Sequence, residues 1–409
     1  MIMIKPMKKL TILFLALLAA SIGCMAQSPD FWNNKNAYLG QKPPGDKPEK
    51  FAPGLLAKDS LFALDRVAFS PDGTSFYYCV NTSWFNGKNL KIKYFEYKDG
   101  KWIGPAILTE HHYAPTFSPD GKTIYVIGGA NKAVGDMVWQ LHKTEKDWSE
   151  LGEYISKPYG LYDFMPTISG NMYVGSNGNQ GNVRDFTTYT FSKITVSGKD
   201  TVVQSLGIPL NAPGFNGDFF VAADESYMII SAKEWPTYEC ELYISFHKPD
   251  NTWTNPKSLG PLINDGVAHR WGEYVSPDGK FLFYSHGHSA KDCAIYWVRF
   301  DALLERLKHA NFEPYVKNPI EGQIALLRQA FTLQIPDNTF FDDDGNDTLS
   351  YSATSGDDRA LPEGLKFDPE TKTISGKPAK SGKYVIKVTA TDTAKATASV
   401  AFLLEVDDM

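Results

Sequence analysis

The chain has 409 residues, of which 43% are hydrophobic, 22% charged and 13% aromatic, a composition that buries a real core and excludes global disorder or a collagen-like repeat. That length exceeds what one core organises, so two or three domains are expected. A formal net charge of -6, with no dense run of Lys and Arg, offers no basic field to a polyanion and excludes nucleic acid as a partner.

Residues 1–26 read as an export signal. Lys5, Lys8 and Lys9 precede an apolar run from Leu10 to Ile22 that is short for a membrane span. Two processing readings stand side by side. Ser21-Ile22-Gly23 before Cys24 resembles a bacterial lipobox, which would acylate Cys24 and tether the chain to a membrane, although Ser21 stands where Leu is usual. Cys24-Met25-Ala26 before Gln27 resembles an ordinary small-x-small cleavage site. The expected location is the periplasm, the outer membrane as a lipoprotein, or the medium, with membrane contact only through such an anchor. Cys79, Cys240 and Cys293 remain beyond the signal, an odd number in strand-like runs without ligand spacing; they read as small buried hydrophobes, with no disulfide framework or zinc site.

Residues 27–62 form a separate segment. The Pro- and Gly-rich stretch from Tyr38 to Gly54 suits no strand pair, and it is expected to wrap the next domain or cover one face.

Residues 63–312 then repeat a unit about every fifty residues: RVAFSPDGTSFYYCV from Arg66, APTFSPDGKTIYVIG from Ala114, a degenerate MPTISGNMYVGS from Met165, DFFVAADESYMIISA from Asp218, and GEYVSPDGKFLFYSH from Gly272. In SPDG, Pro sets φ for the first turn position and Asp-Gly supplies residues that tolerate positive φ, so each unit closes a hairpin. The spacing is that of a four-stranded propeller blade. Trp102, Trp148 and Trp253 each follow a polar turn downstream and are expected to pack between blades. With the SPDG turn as hallmark, residues 50 to 305 resemble the TolB-type, WD-like repeats of exported bacterial propellers. The fold class is therefore all-β: a five-bladed β-propeller, or six-bladed if the N-terminal segment and a later strand assemble another blade. DALLERLKHAN from Asp301 is helical in pattern.

Residues 313–409 change composition. Asp342 to Asp347 (DDDGND), Leu361-Pro362 leading to Leu365-Lys366-Phe367-Asp368, Ser375-Gly376 with Pro378, and Tyr384 through Val388-Thr389-Ala390-Thr391-Asp392 together resemble a dystroglycan-type cadherin-like, or Ig-like, domain. The resemblance implies a seven-strand sandwich. It departs at Lys395, near where Gly commonly follows the TATD motif. In such domains similar acids bind calcium, so Asp342, Asp343, Asp344, Asp347 and Asp392 form a candidate calcium set; an Asx-rich turn explains the same residues without metal. No other cofactor is expected.

A propeller binds ligands where its inner strands converge. The residues before each turn strand are polar: Asp65 and Arg66; His111 and His112; Tyr162 and Asp163; Asn216 and Asp218; His269, Arg270, Trp271 and Glu273. Asp65, Arg66, His112, Asp163, Asp218, Arg270, Trp271 and Glu273 are the candidate ligand-binding set, a funnel for a sugar-like ligand with Trp271 as stacking surface. The leading function is non-catalytic binding of a glycan or an envelope protein. Two alternatives remain: a carbohydrate-active enzyme, either a glycoside hydrolase using paired acids from separate blades or a lyase with His112 or His269 as base, and an assembly scaffold. No GxSxG, HExxH, Walker or dinucleotide motif occurs. His286 and His288 share one strand face, a weak metal pair that reads more readily as a solvated loop.

Overall fold

The turn chemistry read from the repeats organises the hairpins of the computed structural model. The structure describes residues 31–57, 62–82, 89–129, 136–176, 189–197, 200–212, 214–233, 239–289, 292–345 and 348–408. Cys24, the export signal and Asp347 lie outside the described residues. In the first SPDG turn Ser70 Oγ donates to Asp72 Oδ1 at 2.5 Å while the Thr74 amide donates to the same oxygen at 3.0 Å. Gly73 adopts φ 76°, the left-handed region that favours glycine. Ser118 and Asp120, and Ser276 and Asp278, repeat the arrangement.

The degenerate third turn lacks the Asp, and its neighbour supplies a carboxylate. Glu225 stands where the fourth turn would carry Gly, at φ 60°. Its side chain accepts from Ser169 Oγ at 2.6 Å, Asn171 Nδ2 at 2.8 Å and Tyr173 Oη at 2.5 Å, all on the third unit.

In chain order, β1 (Glu49–Lys50) precedes a first sheet of β2 (Phe62–Phe69), β3 (Ser75–Asn81), β4 (Lys91–Lys98) and β5 (Lys101–Glu110). The second sheet is β6 (Tyr113–Phe117), β7 (Thr123–Gly128), β8 (Met137–His142) and β9 (Gly152–Ile155). The third is β10 (Leu161–Pro166), β11 (Met172–Ser176), β12 (Thr190–Ser197) and β13 (Asp200–Ser205). The fourth is β14 (Phe215–Val221), β15 (Tyr227–Lys233), β16 (Cys240–Phe246) and β17 (Lys257–Ser258). The fifth joins β18 (His269–Val275), β19 (Phe281–Gly287) and β20 (Ala294–Arg299) to β1, which pairs antiparallel with β20 through Glu49 opposite Trp297. Neighbouring strands within each sheet are antiparallel. The first strands β2, β6, β10, β14 and β18 adjoin in turn and the ring closes from β18 to β2, the geometry of a β-propeller. Among the described residues the N-terminal segment completes the fifth sheet instead of building a sixth.

That segment also seals the seam between the last and first sheets. Phe51 lies edge-on to Phe76, Phe283 and Trp297, and Tyr38 donates to Asp278 in the fifth turn at 2.5 Å. Two of the three recurring tryptophans pack between sheets, and the third packs against the N-terminal segment. Trp148 of the second sheet donates to Tyr77 Oη of the first at 2.9 Å, Trp253 of the fourth meets Tyr173 of the third, and Trp102 donates to the Asn36 carbonyl of the N-terminal segment at 2.7 Å. Cys79, Cys240 and Cys293 are buried thiols.

After α1 (Asp301–Lys308) come β21 (Tyr315–Val316), β22 (Gln323–Leu326), β23 (Phe331–Gln334), β24 (Phe340–Phe341), β25 (Ser350–Ser355), β26 (Leu365–Asp368), β27 (Thr373–Gly376), β28 (Gly382–Thr391) and β29 (Thr397–Asp407). The sheets β22-β29-β28-β25 and β23-β27-β26 face each other over Ile374, Ile386, Val388, Phe402 and Leu404, with β21 and β24 as a separate ribbon. Period-2 alternation along β29 drives this packing, since its inward residues are buried and its outward ones exposed.

Candidate functional site

Every inner strand of the propeller breaks register at the same step. Between Leu64 and Ala68 three residues of β2 face one of β3, and β14 repeats this; in β6, β10 and β18 two residues face one. Asp65, Ala114, Asp163 and Gly272 carry positive φ in these bulges, at 68°, 50°, 52° and 66°. Bulges re-aim side chains, and left-handed non-glycine residues store strain that surrounding structure must hold. Gly272 is required by contact as well, because a Cβ there would lie 2.5 Å from the Asp65 carbonyl carbon.

The bulge of β2 sends Arg66 across the ring. Its guanidinium donates to Asp163 Oδ1 on the third sheet at 2.9 Å, to the Phe219 carbonyl on the fourth at 2.5 Å and, through Nε, to the Glu273 carbonyl on the fifth at 3.4 Å. Arg66 is 0% exposed and Asp163 2%. The centre is thus closed at this level by a buried ion pair. Glu273 lies beside it, 0% exposed, and among the described residues neither of its carboxyl oxygens has a hydrogen-bond partner. Burial, followed by the Asp218 and Asp163 carboxylates, pushes its pKa well above the ordinary range. Asp218 Oδ2 accepts from the Gly272 amide at 3.2 Å, and Asp65 Oδ1 accepts from the Arg66 amide at 2.7 Å.

Asp65, Arg66, Asp163, Asp218 and Glu273 therefore come together, and the other candidates sit apart. His112 bonds the Glu110 carbonyl through Nδ1 at 2.7 Å and lies edge-on to Trp139; burial lowers its pKa. Arg270 does not line a funnel: its guanidinium bonds Asp265 and the Ala268 and Cys240 carbonyls, and the residue is 1% exposed. Trp271 packs with Leu64 and Cys293 at 7% exposure, with His269 tilted over it, and so offers no open stacking face. His269 in turn lies 3.4 Å from Cys240 Sγ. His286 and His288 stand edge to face, and His288 Nδ1 bonds Asp292 at 2.9 Å.

The sequence reading missed Tyr113 and Asp136. Tyr113 Oη donates to Asp136 Oδ2 at 2.8 Å, and both residues are partly exposed, as is Asp65. Tyr113 follows His112 directly and falls on the same step as the candidates, a usable signal. Asp136 has no counterpart in the other units and gave none.

The acids proposed for calcium dock the sandwich onto the fourth propeller sheet. Asp343 pairs with Lys248 at 2.7 Å and accepts the Asn255 amide at 2.6 Å; Asp344 accepts the Phe312 amide at 2.6 Å; Asp392 accepts from Asn311 Nδ2 at 2.8 Å. Asp342 Oδ1 accepts the Asp344 amide at 2.8 Å, and burial raises the Asp342 pKa. Lys257 lies 3.2 Å from the Phe312 ring centroid and donates to the Leu307 and Ala310 carbonyls at the end of α1. Of the candidate calcium set, Asp343 thus already has an ammonium partner, and Asp347 lies outside the described residues. Among the described residues no group of three or more His, Cys, Asp or Glu is arranged to hold a metal.

Residues 313–407 match the model of the Putative Ig domain family. The C-terminal domain is Ig-like. Comparison with curated proteins finds no match. Among solved structures, TolB from Acinetobacter baumannii is 14% identical over 58% of this chain and 55% of its own, with a TM-score of 0.33. Prolyl oligopeptidase B from Galerina marginata is 12% identical over 82% of this chain and 48% of its own, at 0.32. Two Bacteroides fragilis chains named as putative alpha-galactosidases are 23% and 25% identical with TM-scores of 0.18, and this chain spans only 19% and 20% of their lengths.

Proposed function

We propose that this is an exported bacterial binding protein, built on TolB-type repeats, that holds a glycan at the mouth of its propeller without cleaving it. The observation that carries the reading is the Arg66–Asp163 pair. A glycosidase needs two accessible carboxyl groups flanking a bond, but here Asp163 is paired and Glu273 and Asp163 are sealed below the surface. The partly exposed Asp65, Tyr113 and Asp136 offer groups that can bond hydroxyls, the chemistry that a carbohydrate site needs. The Ig-like domain, clamped to the fourth sheet, serves as a fixed second module, and Cys24 is the lipid attachment point if the anchor reading holds.

A glycan array probed with the mature chain, followed by chromatography of any bound sugar after prolonged incubation, tests this. Retention of an intact oligosaccharide is expected. Shortened or unsaturated products would establish an enzyme, and an empty array would leave the scaffold reading.

A further inference from the structure

Two imidazoles stand together where β19 leaves the fifth sheet. His286 is the last but one residue of that strand, opposite Arg270 of β18 and Ala294 of β20. His288 follows two positions later, the spacing that puts both side chains on one face of an extended chain. The Tyr296 ring backs His286 from β20, with 4.8 Å between centroids. Asp292 holds His288 from the other side. Its Oδ2 meets His288 Nδ1 at 2.9 Å, while Oδ1 accepts the His288 and Ser289 amides at 3.1 and 2.7 Å. With Nδ1 so engaged, Nε2 is the nitrogen that His288 can offer to a ligand, the arrangement by which a carboxylate orients a metal-bound histidine. Among the described residues no hydrogen bond engages the His286 ring.

The two ring centroids are 5.4 Å apart, with their planes at 89°. An ion bonded to two imidazole nitrogens at about 2.0–2.1 Å in tetrahedral geometry separates the ring centres by about 5 Å. The pair therefore already stands at the separation that a shared ion needs. The positive charge opposite His286, on Arg270, is answered by Asp265 at 3.0 Å.

We propose that His286 and His288 bind one divalent transition-metal ion of the zinc and copper class, with Asp292 as the carboxylate that orients His288. Imidazole nitrogen suits these ions, whereas magnesium and calcium take oxygen. No third His, Cys, Asp or Glu of the described residues joins the pair, so the rest of the coordination sphere falls to water or to a donor from a bound molecule, as in open sites. The site is independent of the glycan reading.

The test is calorimetric titration of the untagged, chelator-stripped mature chain with zinc(II), together with electron paramagnetic resonance of the same chain carrying one equivalent of copper(II). One saturable zinc site is expected, and the copper spectrum should show coupling to two imidazole nitrogens. His286→Asn and His288→Asn should each weaken zinc binding by about tenfold or more, and Asp292→Asn by about tenfold, the lower end of what losing an orienting carboxylate costs. His142→Asn, which removes an exposed histidine of the second sheet, should bind as the parent does. The copper spectrum of the parent needs no variant to fold. Absence of saturable zinc binding, binding unchanged in both the His286 and His288 variants, or a copper spectrum without two-nitrogen coupling overturns the assignment.

Discussion

Glu225 holds Asn171 across the boundary between two propeller sheets, with Oε1 2.8 Å and Oε2 3.0 Å from the amide nitrogen. The residue occupies a left-handed position where glycine would be unstrained. Glu225→Gly relieves that strain and removes every bond to Ser169, Asn171 and Tyr173. The bonds are expected to win, with a net loss of about 1–3 kcal/mol in urea unfolding. Burial raises the Glu225 carboxyl, but the bonds from Ser169, Tyr173 and Asn171 outweigh it and hold the pKa below the ordinary value. Its stabilisation is therefore present above the unfolded-state pKa and is lost as pH falls through the folded one. A mutant that is more stable than the parent would show that backbone strain dominates.

Removing Arg66 strands Asp163 in the core. Arg66→Met is expected to cost about 3–5 kcal/mol, and the double variant Arg66→Met with Asp163→Leu to recover much of that, because the desolvation of both charges disappears together. Chemical denaturation of the two single variants and the double variant closes the cycle. Additive losses would mean that the pair is not coupled.

Glu273 behaves in the opposite sense to Glu225. Its pKa is raised in the folded protein, so the native state holds a proton that the unfolded chain releases above the ordinary glutamate pKa of about 4.3. The stability linked to this group is complete below that value and declines as pH rises toward the folded pKa. Glu273→Gln keeps the shape and removes the titration, so the variant's melting temperature is expected to decline less than the parent's as pH rises above the ordinary glutamate pKa of about 4.3. Parallel curves for parent and variant would count against a protonated Glu273.

Trp253 is 4% exposed between the third and fourth sheets. Trp253→Ala is expected to lose about 3–5 kcal/mol. Trp148→Phe keeps an aromatic ring but gives up the bond to Tyr77 and part of the indole's contact with Tyr77 and Phe117, for about 1–3 kcal/mol. Thermal melts of both variants check that these indoles hold neighbouring sheets together.

Asp343→Ala removes both the Lys248 pair and the acceptor of the Asn255 amide. Limited proteolysis is expected to cut the connection after α1 faster in this variant, yielding an intact Ig-like fragment. Added calcium should not slow the cut. Protection by calcium would restore the metal reading of the acidic run.

Much of the propeller was legible because its information is local: Ser70, Pro71, Asp72 and Gly73 dictate their own turn, and three of the five units repeat that chemistry. The Ig-like domain was legible for a similar reason, through alternation along β28 and β29. What could not be read is where long side chains end. Arg66 finds its acid 97 positions away, and nothing near Arg66 marks Asp163 as the partner. The run from Asp342 to Asp344 has the same oxygen density whether a metal ion or the Lys248 ammonium, 95 positions distant, neutralises it. Arg270 and Trp271 share the step of the central residues, but the bulge at Gly272 comes after them, and both lie to the side.

The pairing of β1 with β20 has a consequence for synthesis. Glu49 is made early and Trp297 late, so the fifth sheet remains one strand short until the first-made and last-made parts of the ring meet. Until then the outer edge of β20 is an open template for any passing strand, and the long-range contact makes closure slow relative to the hairpins. A chain that stalls before Trp297 cannot close its ring, and it carries Phe51 and Tyr38 uncovered. Such a product is a substrate for chaperones and proteases, so the short strand at the start of the chain works as a completeness check on the whole propeller.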